Sequence, residues 1–472
     1  MVKYSIGIIL LSSFLLNSCQ TTKKESSSNS STAISAAAPL VARPVASSAL
    51  KLKPTKEITL ENGLKVYVFR DMSLPRFSVN LMIKVGQKDD PIEKVGLNYI
   101  TASLLEQGTN SYTAVQIADR IASLGSNLSI APSDEYTFVS IDGLSMSVDA
   151  IVDIFSELIF KPAFPNSEII KMKKDFTAQI KKVQDDASRV ADLGLSSFVH
   201  RGTVLAYPSI GTEASLKVIN KSDIIKNYLA NYRPNNAILS IVGSITDDVE
   251  KKILDRFKAW PSRALKPAGV SAAPNIENKK METQLKKDLV QSEIRVALPM
   301  IPRKHPDYLK LRLANEILGG GFVSRLNSKI RDQLGLTYGI SSTLDLGLDR
   351  GYLYISTFTK NETTVQVLEQ ITAELNRLVT DGVTAKELSS AKNMVLAQFP
   401  RALETVDRIA FNFMFLDFYG VGHSYLYDFQ KAIDRVSQDE INEAIRNHFK
   451  LENMKVFVLA NPAIEKNLKV FN

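Results

Sequence analysis

Short runs in which apolar and polar residues alternate predict strands in the first half of the chain. Two such runs, at residues 58–60 and 64–69, are joined by Asn62-Gly63. An Asn-Gly pair between alternating runs favours a tight turn with positive φ, so this pattern predicts a β-hairpin. Further runs rich in β-branched and aromatic residues predict strands at residues 77–85, 136–144 and 237–242.

Helical periodicity fills the intervals between these strands. Residues 114–124 and 148–160 carry apolar side chains at helical spacing, and Thr113 and Ser147 precede them as candidate N-caps. Gly125 follows the first run and is typical of a helix stop. The first half therefore predicts an α+β arrangement rather than an all-β or all-α one.

The second half repeats this plan at an offset of about 213 residues. Residues 102–107 correspond to 315–320, and the strand at 236–244 corresponds to one at 455–461. The predicted elements between them are strands at 293–298 and 352–357 and helices at 308–318, 364–379 and 385–399. The fold class is therefore α+β, with two homologous domains, each a mainly antiparallel sheet with helices packed on one face.

Changes of composition divide the 472 residues into segments. Residues 21–48 are mostly Ser, Thr, Ala and Pro, which cannot offset their ordering entropy by burial, and a second proline- and lysine-rich stretch lies between the two periodic halves. We therefore expect a signal peptide at 1–19, a disordered tether at 20–50, a first domain at 51–262, a linker at 263–282 and a second domain at 283–472.

The N-terminus predicts a lipid anchor. Lys3 precedes an apolar run at residues 4–16, and Asn17-Ser18-Cys19 follow it. The run is too short to span a bilayer comfortably, and its order resembles a bacterial lipoprotein signal. Cys19 is the only cysteine in the chain, so it is the expected lipidation site and no disulfide is available. A short membrane anchor or an ordinary secretory signal remains the alternative.

By the same resemblance, Gln20 in place of an acidic residue after Cys19 implies the outer membrane, facing the periplasm, although the sequence leaves inner against outer membrane open. The net charge of +8 comes from 58 basic and 50 acidic residues spread along the chain. No zinc-finger spacing, RNA-binding aromatic signature or long basic run is present, so we expect no nucleic-acid partner.

Residues 96–109, with Gly-Leu before and Gly-Thr after an apolar helix, resemble the zinc-site helix of the insulinase-like (pitrilysin) metallopeptidases, family M16. In active members this helix carries His-x-x-Glu-His, whose histidines hold zinc and whose glutamate activates water. Tyr99, Ala102 and Ser103 stand at those three positions, and Gln179 stands at the position of the remaining glutamate ligand. The resemblance therefore implies a degenerate zinc site, no catalytic zinc in this chain and no activity alone.

The chain offers no obvious replacement for this site. Its four histidines, His200, His305, His423 and His448, are too far apart in sequence to form a helical ligand pair. A metal site assembled from distant residues is the alternative. We interpret each histidine as a solvated or structural side chain and predict no metal ligand among them.

A second motif lies in the second half. Residues 317–326 contain Gly319, Gly320 and Gly321, and residues 330–338 contain Arg331 and Tyr338. Together they resemble the glycine-rich segment and Arg/Tyr pair of family M16, which the resemblance implies bind substrate. A guanidinium can bind a carbonyl or carboxylate oxygen, and a phenol can donate to an oxyanion. The structural alternative is that the glycines only end a helix and that the other two side chains form an ion pair and fill a strand edge.

The resemblance covers about residues 55–465 and implies a division of labour between subunits. One subunit of a heterodimeric member carries the zinc motif, and the other carries the Arg/Tyr pair; this sequence has the second pattern. We therefore expect a non-catalytic, substrate-binding subunit of a periplasmic peptidase, with a catalytic His-x-x-Glu-His partner that holds the zinc and a peptide as substrate. The alternative is an inactive peptide-binding or scaffolding lipoprotein of the cell envelope. A third reading is an autonomous metallopeptidase with ligands of another kind.

Overall fold

The computed structural model describes residues 53–265 and 279–469. The predicted signal peptide with Cys19, the predicted tether and the middle of the predicted linker lie outside the described residues. No helix within the described ranges combines the length and the hydropathy that crossing a membrane requires.

The first half forms a six-stranded sheet in the order β1-β2-β6-β3-β5-β4. Only the β2–β6 pair is parallel. The alternating runs give β1 and β2 as the predicted hairpin, and Gly63 in its turn has a φ of 85°. The strands are β1 (Lys56–Thr59), β2 (Lys65–Arg70), β3 (Arg76–Ile83), β4 (Asn127–Pro132), β5 (Thr137–Leu144) and β6 (Ala237–Gly243).

The second half forms a five-stranded sheet in the order β7-β11-β8-β10-β9, with β7–β11 as its one parallel pair. Each of its five strands has a counterpart at the same place in the first sheet, in which only the edge strand β1 has none. This match confirms the predicted pair of homologous domains. The strands are β7 (Met281–Leu285), β8 (Gln291–Met300), β9 (Ile340–Leu346), β10 (Gly351–Lys360) and β11 (Lys455–Ala460).

Three strands were missed by the pattern analysis: β4, β7 and β9. Each is an edge strand of its sheet, and β9 alternates more buried side chains with exposed Ser341, Thr343 and Asp345. Such edge strands carry short polar-rich sequences whose pairing depends on the neighbouring strand, so their own pattern is weak.

Fifteen helices lie within the described residues. In the first half they are α1 (Leu97–Ser103), α2 (Ala114–Ser123), α3 (Val148–Phe160), α4 (Asn166–Val183), α5 (Ala187–Val199), α6 (Glu213–Val218), α7 (Lys221–Asn231) and α8 (Asp247–Lys258). In the second half they are α9 (Tyr308–Asn315), α10 (Thr364–Thr380), α11 (Ala385–Gln398), α12 (Val406–Tyr419), α13 (Ser424–Arg435), α14 (Gln438–His448) and α15 (Glu465–Leu468).

The predicted helix caps are mostly present. The Thr113 hydroxyl accepts a hydrogen bond from the N–H of Gln116, whose side chain bonds back in a capping box, and Gly125 follows α2 with a φ of 61°. Ser147 precedes α3, but its side chain makes no capping bond. The predicted helix at 308–318 is α-helical only to Asn315 and then widens into a π-helical turn at Glu316–Gly320.

Each sheet packs its inner face against helices of its own half, as predicted. The opposite face of each sheet is covered by a helix from the other half. From the second half, α12 places Phe413 and Met414 against Tyr67 and Phe69 of β2. From the first half, α5 packs on β8, β10 and β11. Because each half buries an apolar face of the other, the two domains form one packed unit, which burial of apolar area favours.

Polar contacts fix the register of this exchange. The guanidinium of Arg295 on β8 is buried and donates to Asp192 on α5 at 2.5 Å and to the Ser188 hydroxyl at 2.7 Å. On the other side, Lys65 donates to Asp417 on α12 at 2.7 Å. Charge-assisted bonds at a largely apolar interface specify one relative placement of the two helices.

Candidate functional site

Helix α1 lies where the degenerate zinc motif was located. It starts after Gly96, whose φ of 93° is in the left-handed region. A Cβ at this position would lie 2.8 Å from the Cα of Gly211, so only glycine meets both conditions without strain. The helix then packs against α7.

A buried polar network holds the start of α1. The Asp90 carboxylate accepts hydrogen bonds from the N–H of Gly96 at 2.7 Å and from the N–H and amide of Asn98 at 2.8 and 2.7 Å. The Asn227 amide of α7 donates to the side-chain oxygen of Asn98 at 2.9 Å and to the Thr101 hydroxyl at 3.2 Å. A fully satisfied buried network of this kind fixes one placement of the helix.

Burial raises the pKa of Asp90 to about 7, against the opposing effect of the bonds from Asn98 and Gly96. The side chain is 7% exposed, and no cation pairs with it among the described residues. Asp90 is therefore a structural carboxyl of α1 rather than a solvated acid. Sequence reasoning did not select it, because nothing in its local pattern distinguishes it from a surface aspartate.

The three side chains at the positions that the resemblance assigns to the zinc motif make contacts of different kinds. The ring of Tyr99 packs edge-on against Phe176 of α4, with centroids 5.5 Å apart. Ala102 is completely buried, and the Ser103 hydroxyl donates to the carbonyl of Tyr99 at 2.9 Å. No imidazole or carboxylate projects from this face of the helix.

Gln179 lies on α4, one helical turn beyond Phe176, and is exposed. A phenol, a methyl group, a hydroxyl and an amide therefore stand at the four positions that the family resemblance assigns to the zinc motif and its remaining ligand. Zinc in proteins is held by thiolate, imidazole and carboxylate donors, so the residues at α1 and α4 do not fit a catalytic zinc ion. The prediction that this chain cannot build the family's metal site rests on these side chains.

The glycine segment of the second half, Gly319 to Gly321, lies close to strand β9. A Cβ on Gly319 would lie 2.8 Å from the backbone nitrogen of Ser342 on β9. None of the three glycines has positive φ, and the segment ends at Gly321 with extended backbone. Glycine is therefore required at position 319 because the widened helix packs closely on the sheet. It is not required there as a left-handed helix cap.

Two asparagines brace this segment. The Asn327 amide donates to the carbonyls of Gly321 at 3.3 Å and Ile340 at 2.8 Å. The Ser342 hydroxyl donates to the Asn315 side-chain oxygen at 2.7 Å. The segment and strand β9 are thus fixed to each other by side chains outside the glycine run.

Arg331 and Tyr338 are brought together by the fold and remain accessible. The Arg331 guanidinium lies 4.4 Å from the ring centroid of Phe322 and 5.9 Å from that of Tyr338. Tyr338 is 83% exposed and Phe322 is 68% exposed. We call Phe322, Arg331 and Tyr338 the aromatic–arginine group. A guanidinium held between aromatic faces keeps its donors in a defined place.

The same stretch contains an arginine of a different kind. Arg325 donates to both carboxylate oxygens of Glu387 at 2.6 and 2.8 Å and to the carbonyl of Gly382 at 2.7 Å. Its donors are consumed within the domain. Arg331, in contrast, makes no ion pair among the described residues, and neither it nor Tyr338 contacts α1 by a hydrogen bond or a ring contact there.

The four histidines divide into two kinds. His200 is buried at the end of α5, with its ring against Tyr352, and burial together with the charge of Arg350 lowers its pKa to about 4. The ring of His423 packs against Phe413 with centroids 4.3 Å apart. His305 and His448, 143 positions apart in sequence, meet at Asp307. Only the tertiary fold brings this last pair together.

Two family models match this chain. The model described as "Insulinase (Peptidase family M16)" matches residues 66–213, and the model described as "Peptidase M16 inactive domain" matches residues 219–395. The matches lie one after the other and together cover most of the described chain. They agree with the two homologous halves seen in the sheets.

Relatives of the chain carry opposite descriptions. An "Uncharacterized zinc protease YmxG" of Bacillus subtilis is 25% identical over 353 residues, which are 75% of this chain and 85% of that protein. A "Non-peptidase homolog YmxG" of Helicobacter pylori is 25% identical over 405 residues, 83% of this chain and 91% of that protein. Similarity at this level does not by itself separate active from inactive members.

Solved structures show the same fold. A peptidase M16 inactive domain from Pseudomonas fluorescens superposes with a TM-score of 0.78 at 23% identity, covering 86% of this chain and 98% of the other. A protease from Helicobacter pylori superposes with a TM-score of 0.77 at 19% identity, covering 86% of this chain and all of the other.

Proposed function

Because this chain belongs to the peptidase M16 family, we propose that it is the non-catalytic, substrate-binding subunit of a heterodimeric zinc-dependent peptidase. The complex cleaves peptides in the bacterial periplasm, and the zinc is held by a partner that carries His-x-x-Glu-His. The observation that carries the proposal is the contrast between the two motifs. None of the four residues at the zinc-ligand positions offers an imidazole, a thiolate or a carboxylate, whereas the aromatic–arginine group is exposed.

The chemistry of the aromatic–arginine group suits peptide binding. Arg331 can donate two parallel hydrogen bonds to a carboxylate or bind a backbone carbonyl, and Phe322 and Tyr338 offer apolar faces beside it. The Tyr338 hydroxyl can donate to an oxygen that gains negative charge during cleavage. None of these groups polarises water, so the contribution of this chain is to bind and orient the peptide.

The exposure of the group supports a shared site. Phe322 and Tyr338 keep most of their surface in solvent although aromatic side chains gain free energy when buried. Large apolar side chains that stay exposed beside a free guanidinium are typical of a surface that another molecule covers. The partner subunit and its peptide are that molecule in this proposal.

The proposed location follows from the N-terminal segment. We propose that Cys19 is lipidated and that the protein is anchored at the outer membrane, facing the periplasm. The lipid would hold the chain at the membrane surface through a tether rather than through a spanning helix. Labelling with a radioactive fatty acid in wild-type cells and in a Cys19→Ala strain tests the anchor separately from the peptidase proposal.

The decisive experiment combines the mature chain with an M16 partner from the same organism that has an intact zinc motif. We expect a complex in sizing chromatography and cleavage of a peptide library that exceeds that of the partner alone. Arg331→Ala should lower kcat/KM of the complex about 100-fold, because it removes a donor aimed at the reacting peptide. Arg435→Ala, at an exposed arginine at the end of α13, is the matched control and should leave the rate unchanged.

Four outcomes count against this proposal. If the two chains do not associate, or if the partner is as active alone, the subunit role is wrong. Association without any effect of Arg331→Ala on cleavage would favour a scaffolding role in the envelope instead. Stoichiometric zinc at α1 with hydrolysis by the purified chain alone would indicate an autonomous peptidase.

A further inference from the structure

Two histidines and an aspartate converge at one point of the second domain, far along the chain from the degenerate zinc motif. His305, Asp307 and His448 each offer one ligand atom, and the three atoms lie within 4.8 Å of one another. It is the one such group among residues 53–265 and 279–469. We call it the His305–Asp307–His448 cluster.

We propose that this cluster binds a divalent transition-metal ion, with zinc as the expected ion in the cell envelope. Two imidazoles and one carboxylate are a donor set that suits zinc, nickel, cobalt and iron(II) rather than magnesium or calcium, which prefer oxygen ligands alone. The proposal concerns residues other than those assigned to the degenerate zinc motif. It stands whether or not the chain serves as a peptidase subunit.

The distances in the cluster are close to those that a metal requires. Tetrahedral zinc with bonds of about 2.0–2.1 Å holds neighbouring ligand atoms about 3.3 Å apart. His448 Nε2 lies 2.8 Å from Asp307 Oδ2, and His305 Nδ1 lies 3.8 Å from the same oxygen. The first separation must widen and the second must shorten, each by roughly half an ångström. The two imidazole rings are nearly perpendicular, with centroids 5.1 Å apart.

The ligands come from elements that the fold holds in place. Asp307 is the N-cap residue of α9, and His448 lies in the last turn of α14, which packs against α9. His305 is two residues before Asp307, in a turn closed by a bond from the Tyr308 N–H to the His305 carbonyl at 3.0 Å. Ligands on helix ends are placed more accurately than ligands on free loops.

A bound metal ion would replace two hydrogen bonds that the cluster makes in its absence. The Asp307 N–H donates to His305 Nδ1 at 3.1 Å, and His448 Nε2 and Asp307 Oδ2 share a hydrogen bond at 2.8 Å. Both bonds would give way to metal–ligand bonds. His305 is 32% exposed, so its ring has room to turn, and the open side of the cluster can admit water as a fourth ligand.

Lys310 both supports and opposes the proposed ion. Its ammonium donates to Asp307 Oδ1 at 2.8 Å, which orients the carboxylate so that Oδ2 faces the two imidazoles. The same positive charge repels a divalent cation. This arrangement predicts a measurable signature, because removal of the Lys310 charge should strengthen binding while removal of a ligand should weaken it.

The proposed ion would tie the start of α9 to the end of α14. Helix α9 continues into the widened turn that carries Gly319 and Gly320, so the ion would stabilise the element on which the glycine segment is built. An ion that binds the folded chain but not the unfolded chain raises the free energy of unfolding by RT ln(1 + [free metal]/Kd). The expected role is therefore structural.

The test uses the mature chain without a histidine tag, dialysed against a chelator and titrated with ZnCl2 by calorimetry and with CoCl2 by absorption spectroscopy. We expect one equivalent of zinc and the visible bands of low-coordinate cobalt. His448→Ala and His305→Ala should each weaken binding at least about 30-fold, because each removes one of three ligands.

Two further variants separate a built site from incidental histidine binding. Lys310→Ala should tighten zinc binding about fivefold through loss of the repulsion. His423→Gln, at a histidine outside the cluster, should change neither the stoichiometry nor the affinity. We expect a Kd of about 1 µM or tighter, so about 100 µM zinc should saturate the site. The proposal is overturned if zinc at that concentration does not bind to the wild-type chain, or if His448→Ala binds zinc as tightly as the wild type.

Discussion

Helix α1 in the first half and the glycine segment in the second half occupy equivalent places in two homologous domains, yet they differ in what they leave to solvent. At α1 the Tyr99 ring packs on Phe176 and Ala102 is completely buried. In the second half the backbone is packed tightly at Gly319, whereas Arg331 and its aromatic neighbours are open. The difference between the two regions is therefore one of exposure: the α1 side chains pack within the first half, whereas Arg331 has no ion-pair partner among the described residues and lies beside two exposed rings.

The largest expected effect on stability comes from placing a carboxylate at the buried position of Ala102. Ala102→Glu should lower the free energy of unfolding by about 5 kcal/mol, because the side chain enters a fully buried site without a metal or a cation. Ser103→Glu, at the adjacent and partly exposed position, is the matched control and should cost less than about 1 kcal/mol. Both values come from urea unfolding. Equal costs would mean that the ligand face is still open.

The second test concerns the buried carboxyl under α1. Because the folded-state pKa of Asp90 is raised to about 7, the folded chain retains a proton that the unfolded chain releases near pH 4. Stability from this group is therefore present at low pH and is lost as pH rises from about 4 to 7, up to about 3 to 4 kcal/mol.

Asp90→Asn isolates this effect from other titrating groups. The difference in unfolding free energy between wild type and variant should favour the wild type more at pH 4 than at pH 8. Urea unfolding of both proteins at the two pH values measures it. The opposite trend would show that the N–H donors of Gly96 and Asn98 outweigh burial and keep the carboxylate charged.

A smaller effect is expected at the glycine segment. Gly319→Ala should destabilise the chain by about 2 kcal/mol, because its Cβ would lie 2.8 Å from the Ser342 nitrogen and the sheet or the helix must shift. Gly339→Ala is the matched control, since a Cβ there meets nothing within 4 Å. Thermal unfolding compares the two. If they are equally stable, the glycine segment has no packing requirement.

The smallest effect on stability is expected at the aromatic–arginine group. Tyr338→Ala and Phe322→Ala should each change the unfolding free energy by less than about 0.5 kcal/mol, because both rings are mostly in solvent. Tyr99→Ala, which removes the ring packed on Phe176, should cost more than either. A large loss of stability at Tyr338 would favour the alternative that it only fills a strand edge.

The sequence by itself determined the plan of the molecule. The Asn62-Gly63 hairpin, the long apolar strands and the helices with clear periodicity follow from local patterns, because side-chain alternation and turn chemistry are properties of a few neighbouring residues. The repeat along the chain predicted two homologous domains, which the matching order of the two sheets confirms. The residue types at Tyr99, Ala102, Ser103 and Gln179 are also given by the sequence, and their assignment to the family's ligand positions stays a prediction.

The tertiary structure decided the rest, because the remaining contacts join residues that are distant in sequence. The exchange of α5 and α12 between the sheets depends on the shape of both domains at once. So do the weak edge strands, whose pairing comes from their neighbours. The burial that raises the pKa of Asp90 and the meeting of His305 with His448 arise from long-range packing, which no local pattern encodes.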